Sequence, residues 1–392
     1  MSPAFSDILR SMDEAARRKL EAKIPSWRAF QIEVPATLNF QQCSGESAAR
    51  YKASLVAEGA RVADLTGGLG VDSWAFSQRS SAVWYNERDA ALAAAVERNF
   101  GALGVRNAEF HSYDVGLADE GWIGALGAFR PDVIYLDPAR RDSAGRKVFL
   151  LEECSPDVVA LMPSLLSLSP VVMVKVSPMA DITMLRRRLR PWISEIHVVG
   201  AEGECKELLC VCRAGVEQDG VRILLAEDGF VFAPSDTAAM QPDLPPEDFA
   251  SLIPPTPGGA GPSRSRGHGR PRSPETGPAG TAAGATYLLF VPSGAMVKSG
   301  LGPGISLMDY DAHLAHFGKF YEVLENLPFA SSVIKTLGRR FPQADVTARG
   351  VPVSSEQLRA RLRTKPGGPV HIFACSLAGE RRILVCRPFV RG

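Results

Sequence analysis

Short apolar runs alternate with amphipathic stretches between residues 61 and 176. Such runs predict strands, whereas apolar positions that recur every three or four residues predict helices. The predicted strands are RVADL (61–65), AVWYNE (82–87), AEFHSYD (108–114), PDVIYLD (131–137) and VVMVKV (171–176). Helices are predicted between them, over 71–79, 89–103, 117–128 and 155–167. This alternation is typical of a parallel, doubly wound, Rossmann-like α/β sheet.

The pattern changes after a basic helical stretch, TMLRRRLRPW (183–192). EIHVVG and KELLCVCR follow each other across a short turn and predict an antiparallel pair that closes the sheet edge. Residues 5–30 have an apolar stripe and predict a helical cap. The later pieces VRILLAEDGFVF, ATYLLFVPSGAMVKSG and HIFACSLAGERRILVC are rich in strand-forming residues, and a helix is predicted over 355–363.

A Pro-, Gly-, Ser- and Arg-rich stretch interrupts the second half of the chain. It has too few apolar side chains to offset the entropy of ordering, so we expect a disordered insertion that serves as a solvated linker. The predicted division is an N-terminal helical region (1–44), an α/β domain (45–216), a small ferredoxin-like region (217–310) with the insertion at 235–285, and a C-terminal α+β domain (311–392).

Composition excludes several classes of protein. The chain has 392 residues, 44 basic and 43 acidic, so it does not coat nucleic acid uniformly with positive charge. No signal peptide and no apolar run of membrane-spanning length is present. The seven cysteines form no C-x-x-C pair, which favours reduced thiols and a cytoplasmic location, and no spacing typical of metal ligands appears. We expect neither a membrane nor a metal partner.

A glycine-rich turn follows the first predicted strand. Gly67, Gly68 and Gly70 give G-G-x-G, not the G-x-G-x-x-G of dinucleotide-binding folds. Asp64 precedes the glycines at the strand tip, where its charge would repel a pyrophosphate. A ligand with an ammonium and a sulfonium group suits an acidic tip better. The turn therefore predicts binding of S-adenosylmethionine.

Further acids stand at or near the other strand tips, and ligands of open parallel sheets bind at these ends. Glu87 is placed to accept hydrogen bonds from both ribose hydroxyls of an adenosyl group. Asp114 is placed to meet the adenine amine, or alternatively to cap the next helix. These positions support an adenosine-containing cofactor.

The segment DPARR begins at a fourth tip, with Asp137. Asp137 and the carbonyl of Pro138 can accept hydrogen bonds from the amine of a target base. Arg140 can stack on a base or bind a phosphate, or belong to a structural turn with solvated arginines. Lys175, in KVSP at the end of the next strand, pairs with one of the acids, contacts a phosphate, or extends its ammonium to solvent. We take Asp137, Pro138, Arg140 and Lys175 as the catalytic candidates.

These segments resemble the motifs of class I S-adenosylmethionine-dependent methyltransferases: ADLTGGLGVD the first motif, YNE the ribose-binding acid, YD the adenine-side acid and LDPAR the catalytic motif. The resemblance implies a seven-stranded sheet and adds Thr66 and Asp72 to the cofactor-binding candidates. More narrowly, the chain resembles bacterial methyltransferases with a C-terminal THUMP-like domain, in QQCSGESAARYK, DPARRDSAGRKVF, VKVSPMADI, ECKELL, FVPSGAMVKSG and VTARGVPVSSEQLRARL. THUMP domains bind structured RNA, so the resemblance implies an RNA partner.

The expected activity is methylation of a base nitrogen in structured RNA, either rRNA or tRNA. VKVSPM contains no cysteine, and methylation of a pyrimidine carbon needs a thiolate that adds to the ring, so a nitrogen or oxygen acceptor is favoured. Two alternatives remain: a non-catalytic RNA-binding protein on a methyltransferase scaffold, and a methyltransferase of small molecules or proteins. The candidate phosphate contacts of the C-terminal domain are Arg339, Arg340, Arg349, Arg359, Arg361 and Arg363.

Overall fold

The computed structural model describes residues 14–116, 121–139, 151–216, 221–233, 235, 288–377 and 379–390. Residues 236–285 of the predicted insertion lie outside these ranges, as does Arg140. The described residues form two compact units. The first contains those up to residue 235 together with 294–301, and the second contains 288–293 and 302–390.

A mixed sheet forms the centre of the first unit. Within the described residues it has nine strands, in the spatial order β3-β2-β1-β4-β5-β7-β6-β8-β9. In chain order they are β1 (Arg61–Asp64), β2 (Ala82–Asn86), β3 (Ala108–His111), β4 (Val133–Leu136), β5 (Val171–Val176), β6 (Ile193–Ala201), β7 (Glu204–Arg213), β8 (Arg222–Glu227) and β9 (Phe230–Phe232). Strands β1 to β5 are parallel, and β7 is antiparallel to both β5 and β6. The predicted Rossmann-like sheet with its antiparallel closing pair is confirmed.

Helices cover the sheet. They are α1 (Glu14–Lys23), α2 (Thr37–Gln42), α3 (Glu46–Ser54), α4 (Val71–Ser77), α5 (Ala90–Ala102), α6 (Gly121–Phe129), α7 (Val158–Leu168), α8 (Ile182–Arg188) and α9 (Gly294–Ser299). Helices α5, α7 and α8 each begin after an aspartate whose carboxylate accepts backbone N–H groups of the first turn, namely Asp89, Asp157 and Asp181. Each of these helices follows a parallel strand and returns the chain to the opposite edge of the sheet, so the next strand also ends at the same edge.

Burial explains why the central strands are apolar. Val62 of β1 and Ile134 of β4 are completely buried, as expected for parallel strands covered on both faces. The helical region before β1 contributes to the same core, because Ile24 and Trp27 join its apolar cluster. The rings of Trp27 and Trp74 meet edge to face, with centroids 5.8 Å apart. The predicted helical cap is therefore part of the first core.

The sheet differs from the seven-stranded prediction by the addition of β8 and β9. We expected these residues in a separate small region, but β8 pairs in parallel with β6, and Leu225 and Phe232 are completely buried in the first unit. Helix α9 packs beside them, since a Cβ added at Gly200 of β6 would lie 2.6 Å from Ala295 Cβ. A local apolar pattern identifies a strand, but it does not specify the sheet edge to which the strand adds.

The second unit has its own six-stranded sheet, in the order β11-β10-β12-β15-β14-β13. Its described strands are β10 (Leu288–Pro292), β11 (Ser306–Met308), β12 (Gly318–Pro328), β13 (Asp345–Arg349), β14 (His371–Leu377) and β15 (Glu380–Pro388). Helices α10 (Ser331–Arg340) and α11 (Ser355–Leu362) bury Ile334, Leu337 and Leu358 in a separate core. Ser354 and Gln357 form a capping box at the start of α11. The predicted C-terminal α+β fold is confirmed.

Candidate functional site

The first unit contains a cavity of about 1900 Å³ at the carboxyl ends of its parallel strands. Strand β1 lies between β2 and β4, so the chain connections diverge to opposite sides at this point. Open α/β sheets bind ligands in the crevice that this divergence creates. Nine predicted site residues line the cavity: Thr66, Gly67, Gly68, Asp72, Glu87, Asp114, Asp137, Pro138 and Lys175.

The glycine loop connects β1 to α4. Gly67 has no room for a side chain, because an added Cβ would lie 2.0 Å from the ring of Tyr85. The Tyr85 hydroxyl in turn donates to the carbonyl of Gly68 at 2.6 Å. Gly70 has a φ of 81°, and an added Cβ would meet the side chain of Val96 at 2.7 Å. Close packing against β2 and α5 thus fixes the loop, and Gly70 supports it from below without lining the cavity.

Glu87, directly after β2, is held by two backbone groups. Its Oε2 accepts from Gly68 N at 3.0 Å, and its Oε1 accepts from Asp89 N at 3.0 Å. Each carboxylate oxygen has two lone pairs, so each retains capacity for a further donor. The carboxylate is therefore fixed in orientation and can still accept two hydroxyl groups.

Asn86, which the sequence did not single out, joins three loops. Its amide Nδ2 donates to the carbonyls of Leu65 and Tyr113 at 3.1 and 3.0 Å, and its Oδ1 accepts from Tyr113 N at 2.8 Å. These bonds hold the ends of β1 and β2 and the chain after β3 together. Asp114, next to Tyr113, is exposed at the cavity wall. Asn86 is the polar neighbour of the predicted Glu87, and this adjacency is the signal that could have identified it.

Asp64 lies beneath the loop and not on the cavity wall. Only 1% of it is exposed, and it accepts hydrogen bonds from Ser73 Oγ at 2.5 Å and Thr66 N at 3.1 Å. Burial raises its pKa to about 7, although both hydrogen bonds act in the opposite direction. A direct contact with a cationic ligand was expected of Asp64, but its geometry is that of a residue that positions the loop.

The predicted catalytic acid and lysine are adjacent. Lys175 Nζ donates to Asp137 Oδ2, and the backbone N–H of Asp137 donates to Thr66 Oγ1 at 2.6 Å. About a third of the Asp137 side chain is exposed, so its carboxylate is accessible from the cavity. Burial alone would lower the pKa of Lys175, but the carboxylates of Asp137, Glu207 and Asp72 outweigh burial and raise it. Lys175 therefore stays charged beside Asp137.

A second lysine, Lys52 of α3, is completely buried between two carboxylates. Its Nζ lies 2.6 Å from Glu207 Oε1 and forms an ion pair with Asp72 Oδ1 at 3.0 Å. It also donates to Ser44 Oγ at 2.7 Å. Ser44 Oγ and the Tyr135 hydroxyl donate to Asp72 Oδ2, each at 2.8 Å. We call Lys52, Asp72, Lys175, Glu207 and Asp137 the buried charge cluster.

The buried charge cluster has two lysines and three carboxylates. Burial would raise the pKa of Asp72, but Lys52 and Lys175 outweigh this and lower it. With all five groups ionised the cluster has one net negative charge, which suits a cationic ligand. Lys52 and Glu207 were missed, although both lie in segments that carried the family resemblance, QQCSGESAARYK and ECKELL. Lys52 lies in a helix that also carries Glu46 and Arg50, and Glu207 follows Glu204 and Lys206, so neither residue stood out in the sequence as a buried charge.

The segment after Asp137 is tied to the start of the next helical region. Ala139 and Ser155 exchange backbone hydrogen bonds of 2.8 and 3.1 Å. Pro138 lines the cavity, and the Arg140 prediction lies outside the described residues. No cluster of three potential metal ligands occurs in the part of the chain that the structure describes. None of the described helices is long and apolar enough to cross a membrane.

Comparison with known proteins bears on both units. The THUMP domain-like family matches residues 318–388, in the second unit. A candidate methyltransferase from Porphyromonas gingivalis W83 has a similar structure over 100% of this chain and 95% of its own, with 24% sequence identity and a TM-score of 0.71. No curated protein matches the chain.

Two further solved structures are similar over shorter parts. Trm5b from Pyrococcus abyssi has 11% identity and a TM-score of 0.30, over 44% of this chain and 49% of its own. Protein Atu636 from Agrobacterium tumefaciens, a candidate O-methyltransferase, has 18% identity and a TM-score of 0.34, over 46% of this chain and 85% of its own.

The strand order, the glycine loop at the end of β1 and the match over the whole chain agree on one architecture. The match to the THUMP domain-like family identifies the domain in the second unit. The chain combines a class I methyltransferase fold with a THUMP-like domain.

Proposed function

We propose that this protein is an S-adenosylmethionine-dependent methyltransferase that methylates a nitrogen of a base in structured RNA. The proposal rests on one observation: Glu87, fixed by the glycine loop, and Asp137, fixed by Lys175 and Thr66, line the same cavity. Residues for binding an adenosyl cofactor and for orienting an acceptor are thus present together.

The residues fit the cofactor. Glu87 retains one acceptor site on each oxygen, which matches the two hydroxyls of a ribose. The net negative charge of the buried charge cluster favours an ammonium and a sulfonium group. Ligand pockets usually measure about 300–1,000 Å³, so a cavity of about 1900 Å³ has space for a nucleotide acceptor as well. Bound S-adenosylmethionine would supply an electrophilic methyl group at this site.

The protein side chains would then act mainly by positioning. Asp137 can accept a hydrogen bond from the N–H of the acceptor, and the carbonyl of Pro138 can accept a second. This arrangement aligns the nitrogen lone pair and provides a proton acceptor as the nitrogen becomes positively charged. Lys175 keeps the Asp137 carboxylate in one orientation. Orientation contributes more here than strong base catalysis.

RNA is the proposed substrate because of the second unit. A THUMP domain-like match and exposed arginines on α10 and α11 are consistent with binding to phosphates. We place the protein in the cytoplasm, where its RNA substrate would be available.

Cofactor binding is tested by titration calorimetry with S-adenosylmethionine, S-adenosylhomocysteine and NAD. We expect micromolar binding of the first two, and Glu87→Ala should weaken it about ten- to a hundredfold, which corresponds to one lost charged hydrogen bond. Asp132→Asn, an exposed acid outside the cavity, is the control. Tight NAD binding without S-adenosylmethionine binding would refute the cofactor assignment.

The RNA assignment is tested by mass spectrometry of nucleosides. RNA from a strain that lacks the gene should lose one methylated nucleoside, and the purified protein should restore it with labelled S-adenosylmethionine. A methyl group recovered on protein or on a small molecule, with unchanged RNA nucleosides, would support the alternative acceptors instead.

A further inference from the structure

The first unit has an arginine-rich surface on helix α8 that takes no part in the proposed methyl transfer. Helix α8 ends in three consecutive arginines, Arg186, Arg187 and Arg188, all exposed. Consecutive helical residues are about 100° apart, so the three side chains spread over the solvent side of the helix while Leu185 is buried. The whole chain has nearly equal numbers of acidic and basic residues, so this concentration of positive charge is local.

Helix α8 lies at the cavity. Asp181, Met184, Leu185 and Arg188 contribute to the cavity wall, whereas Arg186 and Arg187 lie on the solvent side of the helix, beside that wall. Arg188 pairs with Glu152 at 2.9 Å, whereas Arg186 and Arg187 have no charged or hydrogen-bonding partner among the residues that the structure describes. A single cation at a helix C-terminus is explained by the helix dipole. Two further unpaired arginines are not required for that purpose.

A fourth arginine, Arg88, lines the same cavity as Arg188. Arg88 follows Glu87 and donates from Nη1 to Ser155 Oγ at 3.3 Å. Ser155 is the residue that exchanges backbone hydrogen bonds with Ala139, two positions after Asp137. Glu152 and Ser155 are three residues apart, so their Cα atoms are separated by at most about 11 Å. Arg88 and Arg188 therefore flank one short segment beside the catalytic residues.

We propose that Arg88, Arg186, Arg187 and Arg188 bind the phosphates on either side of an unpaired or flipped-out RNA nucleotide whose base enters the cavity. We call these four residues the arginine rim. The inference rests on the proposed function and specifies its substrate as a nucleotide outside a duplex. Guanidinium groups match phosphate geometry, and a base inside a duplex cannot reach a recessed carboxylate such as Asp137.

The arginine rim is also independent of the THUMP-like unit. The second unit has its own exposed arginines and would bind RNA at a separate site. If one RNA molecule contacts both phosphate-binding surfaces, the binding free energies of the two surfaces add. Removing the arginine rim should therefore weaken binding without abolishing it.

The test compares Arg186→Ala/Arg187→Ala with a matched control, Arg79→Ala/Arg106→Ala, in the full chain. Both control arginines are exposed, and neither lies on α8 or on the cavity wall. The probes are a fluorescein-labelled single-stranded 12-mer of uridine and a blunt 12-base-pair RNA duplex, followed by fluorescence anisotropy over a series of salt concentrations. Titration with S-adenosylmethionine in parallel confirms that each variant retains its cofactor site.

We expect the arginine-rim variant to bind the single-stranded probe roughly 25-fold more weakly at 0.1 M salt. Each single-strand phosphate contact contributes a factor of about five at that concentration and a salt slope of about 0.7, so the slope should fall by about 1.4. Cofactor affinity and the control variant should match the wild type, and the affinity for the duplex should change less than that for the single strand.

The proposal is overturned if Arg186→Ala/Arg187→Ala binds the single strand within twofold of the wild type with an unchanged slope. Equal loss of affinity for the duplex would refute the preference for an unpaired nucleotide. Competition by polyglutamate as effective as competition by the RNA would show that the surface is not specific for phosphates. Cofactor binding and RNA methylation are measured separately and do not depend on these three outcomes. Failure of this inference is therefore distinguishable from failure of the proposed function.

Discussion

The candidate site and the second unit use charged side chains in opposite ways. In the first, Lys52 is completely buried between Asp72 and Glu207, and Lys175 is almost buried beside Asp137. In the second, Arg382–Glu380 and Arg387–Glu322 pair at the surface. Desolvation makes buried pairs costly, and they hold a fixed geometry, whereas exposed pairs contribute little to stability. Buried pairs therefore suit the positioning of side chains in a site, and exposed charges suit the attraction of a charged partner.

The largest expected effect tests the buried side of this comparison. Lys52→Met leaves Asp72 and Glu207 without their shared cation, and breaking a buried pair in this way costs about 3–5 kcal/mol of unfolding free energy. Denaturant unfolding of the purified protein measures the loss. Lys206→Met is the matched control, because Lys206 pairs with Glu204 at the surface and should cost less than about 1 kcal/mol.

The result for Lys52 can contradict the comparison directly. If Lys52→Met and Lys206→Met change stability equally, burial does not distinguish the two sets of charges. Adding Glu207→Gln to Lys52→Met should recover part of the lost stability, since it removes one of the two uncompensated carboxylates.

The second prediction concerns pH and Asp64. Burial raises its pKa to about 7, against about 3.9 in an unfolded chain. The folded protein therefore retains a proton that the unfolded chain releases between these values. The stabilisation is complete below about pH 4 and is lost as the pH rises through about 7, up to about 4 kcal/mol in total.

Asp64→Asn mimics the protonated carboxyl and should remove this dependence. We expect the unfolding free energy of the wild type to fall more steeply than that of the variant between pH 5 and 8. Asp132→Asn, at an exposed position, should follow the wild type. Parallel curves for the wild type and Asp64→Asn would mean that Asp64 titrates as an ordinary surface acid.

The third prediction concerns catalysis. Asp137→Ala should lose about 2–4 kcal/mol of transition-state stabilisation in single-turnover methylation, while cofactor affinity stays within a few-fold. Asp157→Ala, which removes a half-buried helix-capping acid outside the cavity wall, is the control. Full turnover by a folded Asp137→Ala variant would show that the acceptor binds elsewhere.

The predicted site residues that share one cavity are those whose position a strand tip determines locally. Parallel strands end at one edge of a sheet, so Thr66, Glu87 and Asp137 share a cavity whatever the rest of the chain does. The glycine loop was equally predictable, because its close packing against Tyr85 permits no side chain at Gly67. The acid of the first motif, Asp64, was identified, but its burial was not, since it depends on Ser73 of the following helix.

The residues that the sequence did not predict depend on contacts between distant parts of the chain. Lys52 and Glu207 are 155 positions apart, and only the folding of α3 against the end of β7 brings them together. Strands β8 and β9 were identified as strands and assigned to another region, because strand propensity does not determine the sheet edge that a strand joins. Their positions follow from long-range packing that no local pattern records.

The smallest expected effect concerns the exposed side of the comparison. Of the predicted phosphate contacts in the second unit, Arg340 pairs with Glu325 and Arg349 donates to the carbonyl of Pro292. Arg339, Arg361 and Arg363 are exposed and have no partner in the described part of the chain. We therefore expect the RNA contacts to come from these three.

Arg361→Ala/Arg363→Ala should lower the slope of RNA affinity against salt concentration by about 1.4, the value for two single-strand phosphate contacts, and leave protein stability within about 0.5 kcal/mol. Arg382→Ala/Arg387→Ala, on β15, is the matched control, because Arg382 already pairs with Glu380 and Arg387 with Glu322. Fluorescence anisotropy with a structured RNA hairpin measures the slope. If Arg361→Ala/Arg363→Ala keeps the wild-type slope and the control variant lowers it, RNA binds the strand surface of the second unit and not its helices. The paired arginines, and not the unpaired ones, would then contact the phosphates.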